Sequence, residues 1–120
     1  MKFDDNKAIY LQISDLICEN ILEGKWNEGY RIPSVRDMAV SLEVNPNTVS
    51  RTYALLESKN AIENKRGIGC FVSERSKESI KKFMKEEFIT NELPGLIKKI
   101  KILEIKADEL AGLIEAINEH

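Results

Sequence analysis

The chain has 120 residues, of which 42% are hydrophobic and 32% charged, and its formal net charge is −2. A chain of this size can bury one small core without disulfides or metal, so Cys18 and Cys70 are expected to be buried free thiols in a reducing compartment. The absence of a long apolar run and the acids near the N-terminus argue against a membrane span and a signal peptide, and predict a cytoplasmic protein. The slightly negative charge excludes a nonspecific nucleic-acid coat.

Apolar residues at helical spacing predict a first helix over residues 8–22, and Gly24 follows it as a C-terminal cap. The next helix is predicted to start after Ser34, whose hydroxyl can cap it, with Asp37 in the first turn. Its buried face is expected to consist of Val35, Met38, Ala39 and Leu42.

A third helix is predicted to begin at Pro46, because Asn45 can cap it and proline suits the first helical position. Its core face is expected to hold Val49, Tyr53 and Leu56. The opposite face is polar and small enough to enter a major groove, and consists of Asn47, Ser50, Arg51 and Ala54. We therefore interpret this element as a recognition helix.

Residues 61–64 and 70–73 are predicted to form a β-hairpin around a basic tip that begins with Lys65 and Arg66. Gly67 and Gly69 permit the positive backbone angles that the tip needs. From Arg31 to Arg75 there are seven basic residues against five acidic ones, so the local charge is only +2. DNA binding would then depend on a surface that concentrates the basic side chains Arg36, Arg51, Lys65 and Arg66.

The C-terminal part is predicted to contain two helices separated by a break at residues 91–95. In the second of these, apolar residues repeat at heptad spacing, which predicts a dimerisation helix. The heptad positions are Leu96, Ile100, Leu103, Ala107, Leu110, Ile114 and Ile117. The alternative is that the helix packs on its own domain, as Ile102 and Ile105 suggest because they lie off the heptad face.

These elements predict an α+β protein with two domains. Residues 1–75 form a winged helix-turn-helix (three helices plus a β-hairpin wing), whose natural partner is duplex DNA, and residues 76–120 form a two-helix dimerisation extension.

Four stretches occur here in an order and at a spacing that resemble the GntR family of bacterial transcription regulators. They are AIYLQI, ILEGKWNEGYRIPSVRDMA, VNPNTVSRTYALLE and KRGIGCFV, and the resemblance covers residues 8–73. The VNPNTV form and a C-terminal part of about fifty residues are most similar to the YtrA-type subfamily, whose short tail serves dimerisation.

The resemblance implies that DNA contacts come from one arginine before the turn, from the recognition helix and from the wing. By position these are Arg36, Asn45, Asn47, Thr48, Ser50, Arg51, Arg66 and Gly67. Many family members have basic residues where Pro46 and Ser50 stand in this chain, so Arg51 is expected to carry more of the base reading. The larger effector-binding domains of the family are absent, and no small-molecule effector is assigned.

The predicted function is that of a sequence-specific DNA-binding transcriptional regulator, a repressor, which binds an inverted-repeat operator as a homodimer. The alternative is a winged-helix module that binds another protein, and the polar, basic face of the recognition helix favours DNA over this. No catalytic constellation, metal cluster or phosphate loop is present, and His120 is the only histidine, so neither an enzyme nor a cofactor is expected.

Overall fold

The computed structural model describes residues 3–119, so His120 lies outside the described residues. The helices and strands, in chain order, are α1 (Ile9–Leu22), α2 (Val35–Leu42), α3 (Pro46–Ser58), β1 (Ile62–Lys65), β2 (Gly69–Val72), α4 (Ser76–Glu87), a π-helical segment (Phe88–Glu92), α5 (Leu93–Ile102) and α6 (Ala107–Asn118). The predicted α+β class, with a winged helix-turn-helix followed by C-terminal helices, is confirmed. The chain divides into two compact units between Phe83 and Met84, so the first turns of α4 belong to the N-terminal unit.

The core of the N-terminal unit is centred on α3, which packs against α1, α2 and β1. The apolar stripe of α1 is buried there, as its helical spacing predicts, and Ile13, Ile17 and Ile21 are each 0% exposed. Burial of one such side chain stabilises the fold by about 1.5–3 kcal/mol. The unit therefore has a closed core of its own.

The turn between α2 and α3 follows the predicted capping pattern. Ser34 Oγ accepts a hydrogen bond from the Asp37 N–H at 3.1 Å and caps α2. At the other end of α2, Glu43 adopts a left-handed conformation with φ 57°, and the Val44 N–H donates to the Ala39 carbonyl. This turn redirects the chain so that Asn45 caps α3.

The wing is an antiparallel hairpin in which Ile62 pairs with Val72 and Lys65 pairs with Gly69. Each strand is shifted by one residue toward the tip relative to the predicted ranges, because Lys65 and Gly69 pair and leave three residues in the turn.

The other edge of β2 is also hydrogen-bonded, since the Val72 N–H donates to the Tyr30 carbonyl and the Ile32 N–H donates to the Cys70 carbonyl. The connection before α2 thus lies alongside β2 as a third, very short strand.

Both cysteines are free thiols, as predicted. Cys18 is 1% exposed, and this burial raises its pKa to about 11. Cys70 is only half-buried, which is less than predicted, because it lies on the wing. Among the described residues, no helix has the length and apolar character that crossing a membrane would require.

The C-terminal helices differ from the prediction in where the chain breaks. Residues 91–95 do not interrupt the helix, because a π-helical turn carries the chain past Pro94 and the Leu93 N–H donates to the Phe88 carbonyl five residues back. Pro94 lies in the first turn of α5, directly after the π-helical segment, where its fixed φ suits the helix.

The break lies instead at residues 103–106. Glu104 is left-handed with φ 55°, the Ile105 N–H donates to the Ile100 carbonyl, and Lys106 is extended. This is the hydrogen-bond pattern of a Schellman cap. The prediction of one uninterrupted heptad helix is therefore wrong. Leu96 and Ile100 lie on α5, Leu103 lies at its end, and Ala107, Leu110, Ile114 and Ile117 lie on α6. Their role in dimerisation stays a prediction.

Candidate nucleic-acid interface

The first turn of α3 is fixed by its cap. Asn45 is extended, and its Oδ1 accepts a hydrogen bond from the Asn47 N–H at 2.8 Å, while Pro46 occupies the first helical position. Because Oδ1 is engaged in the cap, the amide Nδ2 of the exposed Asn45 is the group left to donate to a ligand. Asn45 thus acts as a helix cap, and its contact with DNA stays a prediction.

The faces of α3 are divided as the sequence predicts. Val49, Tyr53 and Leu56 are buried, and Thr52 is buried with them. The predicted contact residues Asn47, Ser50 and Arg51 are exposed, together with Ala54, whereas Thr48 is half-buried. The helix therefore presents amide, hydroxyl and guanidinium groups to solvent along one side.

Arg51 does not project freely from α3. Its Cζ lies 3.8 Å from the centre of the Tyr10 ring on α1, which is the geometry of a cation–π stack. One residue further along, Thr52 Oγ1 donates a hydrogen bond of 2.8 Å to the Tyr10 carbonyl. Two consecutive residues of the recognition helix thus contact the same residue of the first helix.

The start of α2 is tied to α3 by a buried tyrosine. The Tyr53 hydroxyl donates to the Pro33 carbonyl at 2.6 Å. Burial raises the pKa of Tyr53, and the neighbouring Cys70 and Asp37 raise it further, so its hydroxyl keeps its proton and remains a donor. This bond holds the N-terminus of α2, and with it the exposed Arg36, in a fixed position relative to α3.

The wing tip carries the other predicted basic residues. Lys65 and Arg66 are exposed, and Lys65 Nζ lies 4.9 Å from the centre of the Phe71 ring. Gly67 has φ 77°, a conformation that glycine adopts without strain, so the predicted need for glycine at the tip is confirmed. Ile68, beside it, is 58% exposed, which puts an apolar side chain at the tip between the two glycines.

Gly69 has a second reason to be glycine. Its φ is 144°, and a Cβ atom there would lie 2.9 Å from Nε of Arg31. The Arg31 side chain therefore lies against the wing beside its tip, and a side chain at Gly69 would force it to move.

The candidate residues fall into three places: α2 carries Arg36, the first two turns of α3 carry the residues from Asn45 to Arg51, and the wing carries Lys65, Arg66 and Gly67. Sequence reasoning missed Tyr10 and treated Arg31 only as a charge. Tyr10 belongs to the first helix, and no local motif links it to α3. The pairing of an aromatic residue on α1 with an arginine on α3 could be found only from the way the two helices pack.

The exposed candidate residues carry groups suited to binding. Within residues 3–119, no group of three or more His, Cys, Asp or Glu side chains lies close enough together to hold a metal ion. What the surface offers is hydrogen-bond donors and cations on a helix and a hairpin, and these are groups that suit phosphates and base edges.

Comparison with known proteins agrees with this geometry. The family model described as "Bacterial regulatory proteins, gntR family" matches residues 9–72. The chain is 35% identical over 118 residues to the uncharacterized HTH-type transcriptional regulator YhcF of Bacillus subtilis, covering 98% of this chain and 96% of that protein. It is 36% identical over 115 residues to the HTH-type transcriptional repressor YtrA of Bacillus subtilis, covering 87% of this chain and 88% of YtrA.

Among solved structures, a putative transcriptional regulator of the GntR family from Bacteroides thetaiotaomicron superposes with a TM-score of 0.74 at 42% identity. The match covers 93% of this chain and 97% of that chain. The likeness therefore extends beyond the winged helix into the C-terminal helices.

Proposed function

This chain belongs to the YtrA-type branch of the GntR family of DNA-binding bacterial regulatory proteins, and we propose that it represses transcription by binding an inverted-repeat operator as a homodimer. The observation that carries the proposal is the exposed polar face of α3, where Asn47, Ser50 and Arg51 stand on a helix held by its cap and by buried contacts. Such a face can hydrogen-bond to base edges in a major groove.

The wing supplies the complementary contact. Lys65 and Arg66 are exposed cations on either side of the point where β1 ends, and the backbone at Gly67 can approach a sugar–phosphate wall closely because it has no side chain. Arg36 adds a further cation from α2. We expect these groups to supply most of the affinity through phosphates, and the side chains on α3 to supply the discrimination, each good base contact being worth about 1–3 kcal/mol.

Dimerisation is supported by the surface of the C-terminal unit. Its helices expose large apolar side chains, and patches of this kind mark interaction sites on proteins. The most exposed of the predicted dimerisation residues are Leu96, Leu103, Ile114 and Ile117. A second copy of the chain can cover these residues, and two-fold pairing would place two recognition helices about one turn of DNA apart.

Repression is the outcome proposed because the YtrA relative is named a repressor. A bound dimer would block access to the promoter that it covers. The protein would then act on the bacterial chromosome in the cytoplasm, with no catalytic step of its own.

The test is a selection of bound duplexes from a random pool with the full chain, followed by anisotropy titration and measurement of the stoichiometry by analytical ultracentrifugation. We expect an inverted repeat bound by two chains. A chain that shows no preference among duplexes would contradict the proposal and favour the protein-interaction alternative.

The dimer is tested by Ile114→Asp, with Glu115→Gln on the same helix as the matched control. A carboxylate buried without a partner costs about 3–5 kcal/mol, so Ile114→Asp should weaken dimerisation and operator binding by at least about 100-fold. The Glu115→Gln variant should bind as the wild type does. Undiminished dimerisation of Ile114→Asp would remove α6 from the interface.

A further inference from the structure

The geometry points to a positioning role for Tyr10: its ring holds the Arg51 guanidinium so that the edge of this group is presented to a base in the major groove. This inference deepens the proposed function, because it rests on α3 being the helix that reads DNA. Tyr10 lies on α1, outside every stretch that the family resemblance assigns to DNA contact.

The first support is the geometry of the stack. Arg51 Cζ lies over the Tyr10 ring, 3.8 Å from its centre, and an arginine at such a position characteristically stacks its planar guanidinium on the aromatic face. A guanidinium carries its N–H donors in its own plane, so stacking occupies the face and leaves the edge free. That edge is the part of arginine that binds guanine O6 and N7 in a bidentate manner.

The second support is that the backbone of Tyr10 is hydrogen-bonded to α3. Thr52 is 0% exposed, and its single O–H donates to the Tyr10 carbonyl at 2.8 Å, with the Thr48 carbonyl at 3.2 Å as the weaker acceptor of the same proton. The backbone of Tyr10 is thereby tied to α3 one residue beyond Arg51. The backbone positions from which the ring and the guanidinium extend are thus held together by one buried hydrogen bond.

The third support is the conformational entropy that an arginine side chain loses when it binds. An arginine on an exposed helix face samples many rotamers and pays for immobilisation when it binds. A side chain already held by a ring loses less conformational entropy when it enters the groove. Because the stack fixes the direction of the guanidinium edge, it should favour the correct base over a wrong one rather than strengthen binding to all DNA.

The experiment compares Tyr10→Leu, Tyr10→Phe and wild type in anisotropy titrations with the selected operator and with a random duplex. Loss of an exposed cation–π contact predicts that Tyr10→Leu lowers the operator-to-random affinity ratio about two- to fivefold. Tyr10→Phe keeps the ring and should keep the ratio. The control is Tyr30→Leu, which removes a ring that stacks on Trp26, 5.3 Å away between centres, and should leave the ratio unchanged.

A positioning role is separated from a merely structural one by repeating Tyr10→Leu in an Arg51→Ala background. If Tyr10 acts through Arg51, Tyr10→Leu should not lower the operator-to-random affinity ratio any further in the Arg51→Ala background. In addition, NMR relaxation of the Arg51 Nε–H group should show greater mobility in Tyr10→Leu and unchanged mobility in Tyr10→Phe.

Three results would overturn the inference: equal losses on operator and random duplex, an equal loss in the Arg51→Ala background, or a Tyr10→Phe variant as impaired as Tyr10→Leu. Should Tyr10→Leu fail to fold, Arg51→Lys tests the same stack from the other side, because lysine keeps the charge but not the plane, and an unchanged ratio would then overturn the inference. If wild type discriminates and Arg51→Ala discriminates equally well, this inference fails while the proposed function stands. If wild type shows no preference, both fail.

Discussion

The two units of the chain differ in what their apolar side chains contact. In the N-terminal unit, side chains such as Ile17 and Leu56 are completely buried, and the helices α2 and α3 are capped by Ser34 and Asn45. In the C-terminal unit, the described parts of the π-helical segment, α5 and α6 contain no buried residue, and their N-caps make no side-chain hydrogen bond. The comparison teaches that the N-terminal unit buries its apolar side chains within its own core, whereas the helices of the C-terminal unit leave apolar surface that a partner can cover.

The largest test of this difference replaces one isoleucine in each unit. Ile17→Ala empties a fully buried site and should lower the free energy of unfolding by about 2–5 kcal/mol. The matched Ile117→Ala, at a site 73% exposed in the single chain, should change it by no more than about 0.5 kcal/mol when both variants are measured at protein concentrations too low for dimerisation. Urea denaturation measures both: the fluorescence of Trp26, in the N-terminal unit, follows Ile17→Ala, and circular dichroism at the helical band follows Ile117→Ala. Equal losses would show that the two regions are packed alike.

A smaller effect on stability should come from the burial of the Cys18 thiol in the core of the N-terminal unit. Burial raises the pKa of Cys18 from 9.0 to about 11, so above pH 9 the unfolded chain loses this proton before the folded chain does. The resulting stability is complete below pH 9 and is lost as the pH rises toward 11, by about 2 kcal/mol at pH 11.

Denaturation of wild type and Cys18→Ala between pH 8 and pH 11 checks this value. The variant is less stable at pH 8 because it leaves a cavity, but its stability should fall less steeply with pH. Parallel curves would mean that water reaches Cys18.

The smallest effect concerns the missing caps of the tail. Lys106 precedes α6 with φ −89° and ψ 157°, a backbone conformation that suits a capping serine. Lys106→Ser should stabilise α6 by about 0.5–1 kcal/mol relative to Lys106→Ala, which serves as the control. Thermal denaturation of the full chain, followed by circular dichroism at the helical band, measures the difference. No difference between serine and alanine would indicate that the end of α6 is already held by other contacts.

The elements that the sequence predicts well are those with a local chemical signal. Ser34, Asn45 and Pro46 mark helix starts because capping and proline geometry act over one turn, and the helical spacing of apolar residues reveals the buried faces of α1, α2 and α3. Gly67 and Gly69 mark the hairpin because few other residues tolerate their backbone angles.

The elements that were predicted wrongly lack such a signal or carry a misleading one. Pro94 is a strong breaker by sequence, yet a π-helical turn accommodates it, and Glu104 ends α5 in a left-handed conformation without glycine or asparagine. The heptad spacing continues across that break, so periodicity alone joins two helices that the backbone separates. In the candidate site, the exposed face of α3 could be predicted, whereas the Tyr10–Arg51 stack depends on tertiary packing.

The hydrogen bonding of β2 along both of its edges has a mechanical consequence for the wing. A hairpin anchored on one side only could hinge toward or away from a duplex, but this one shares its inner strand with the residues that lead into α2. The strand beside β2 continues to Pro33, whose carbonyl accepts the hydrogen bond of the Tyr53 hydroxyl on α3. Under the proposed function, with the wing in a minor groove, a wing held on both edges would leave the DNA to deform where the two do not match, at an energy set by its own base sequence.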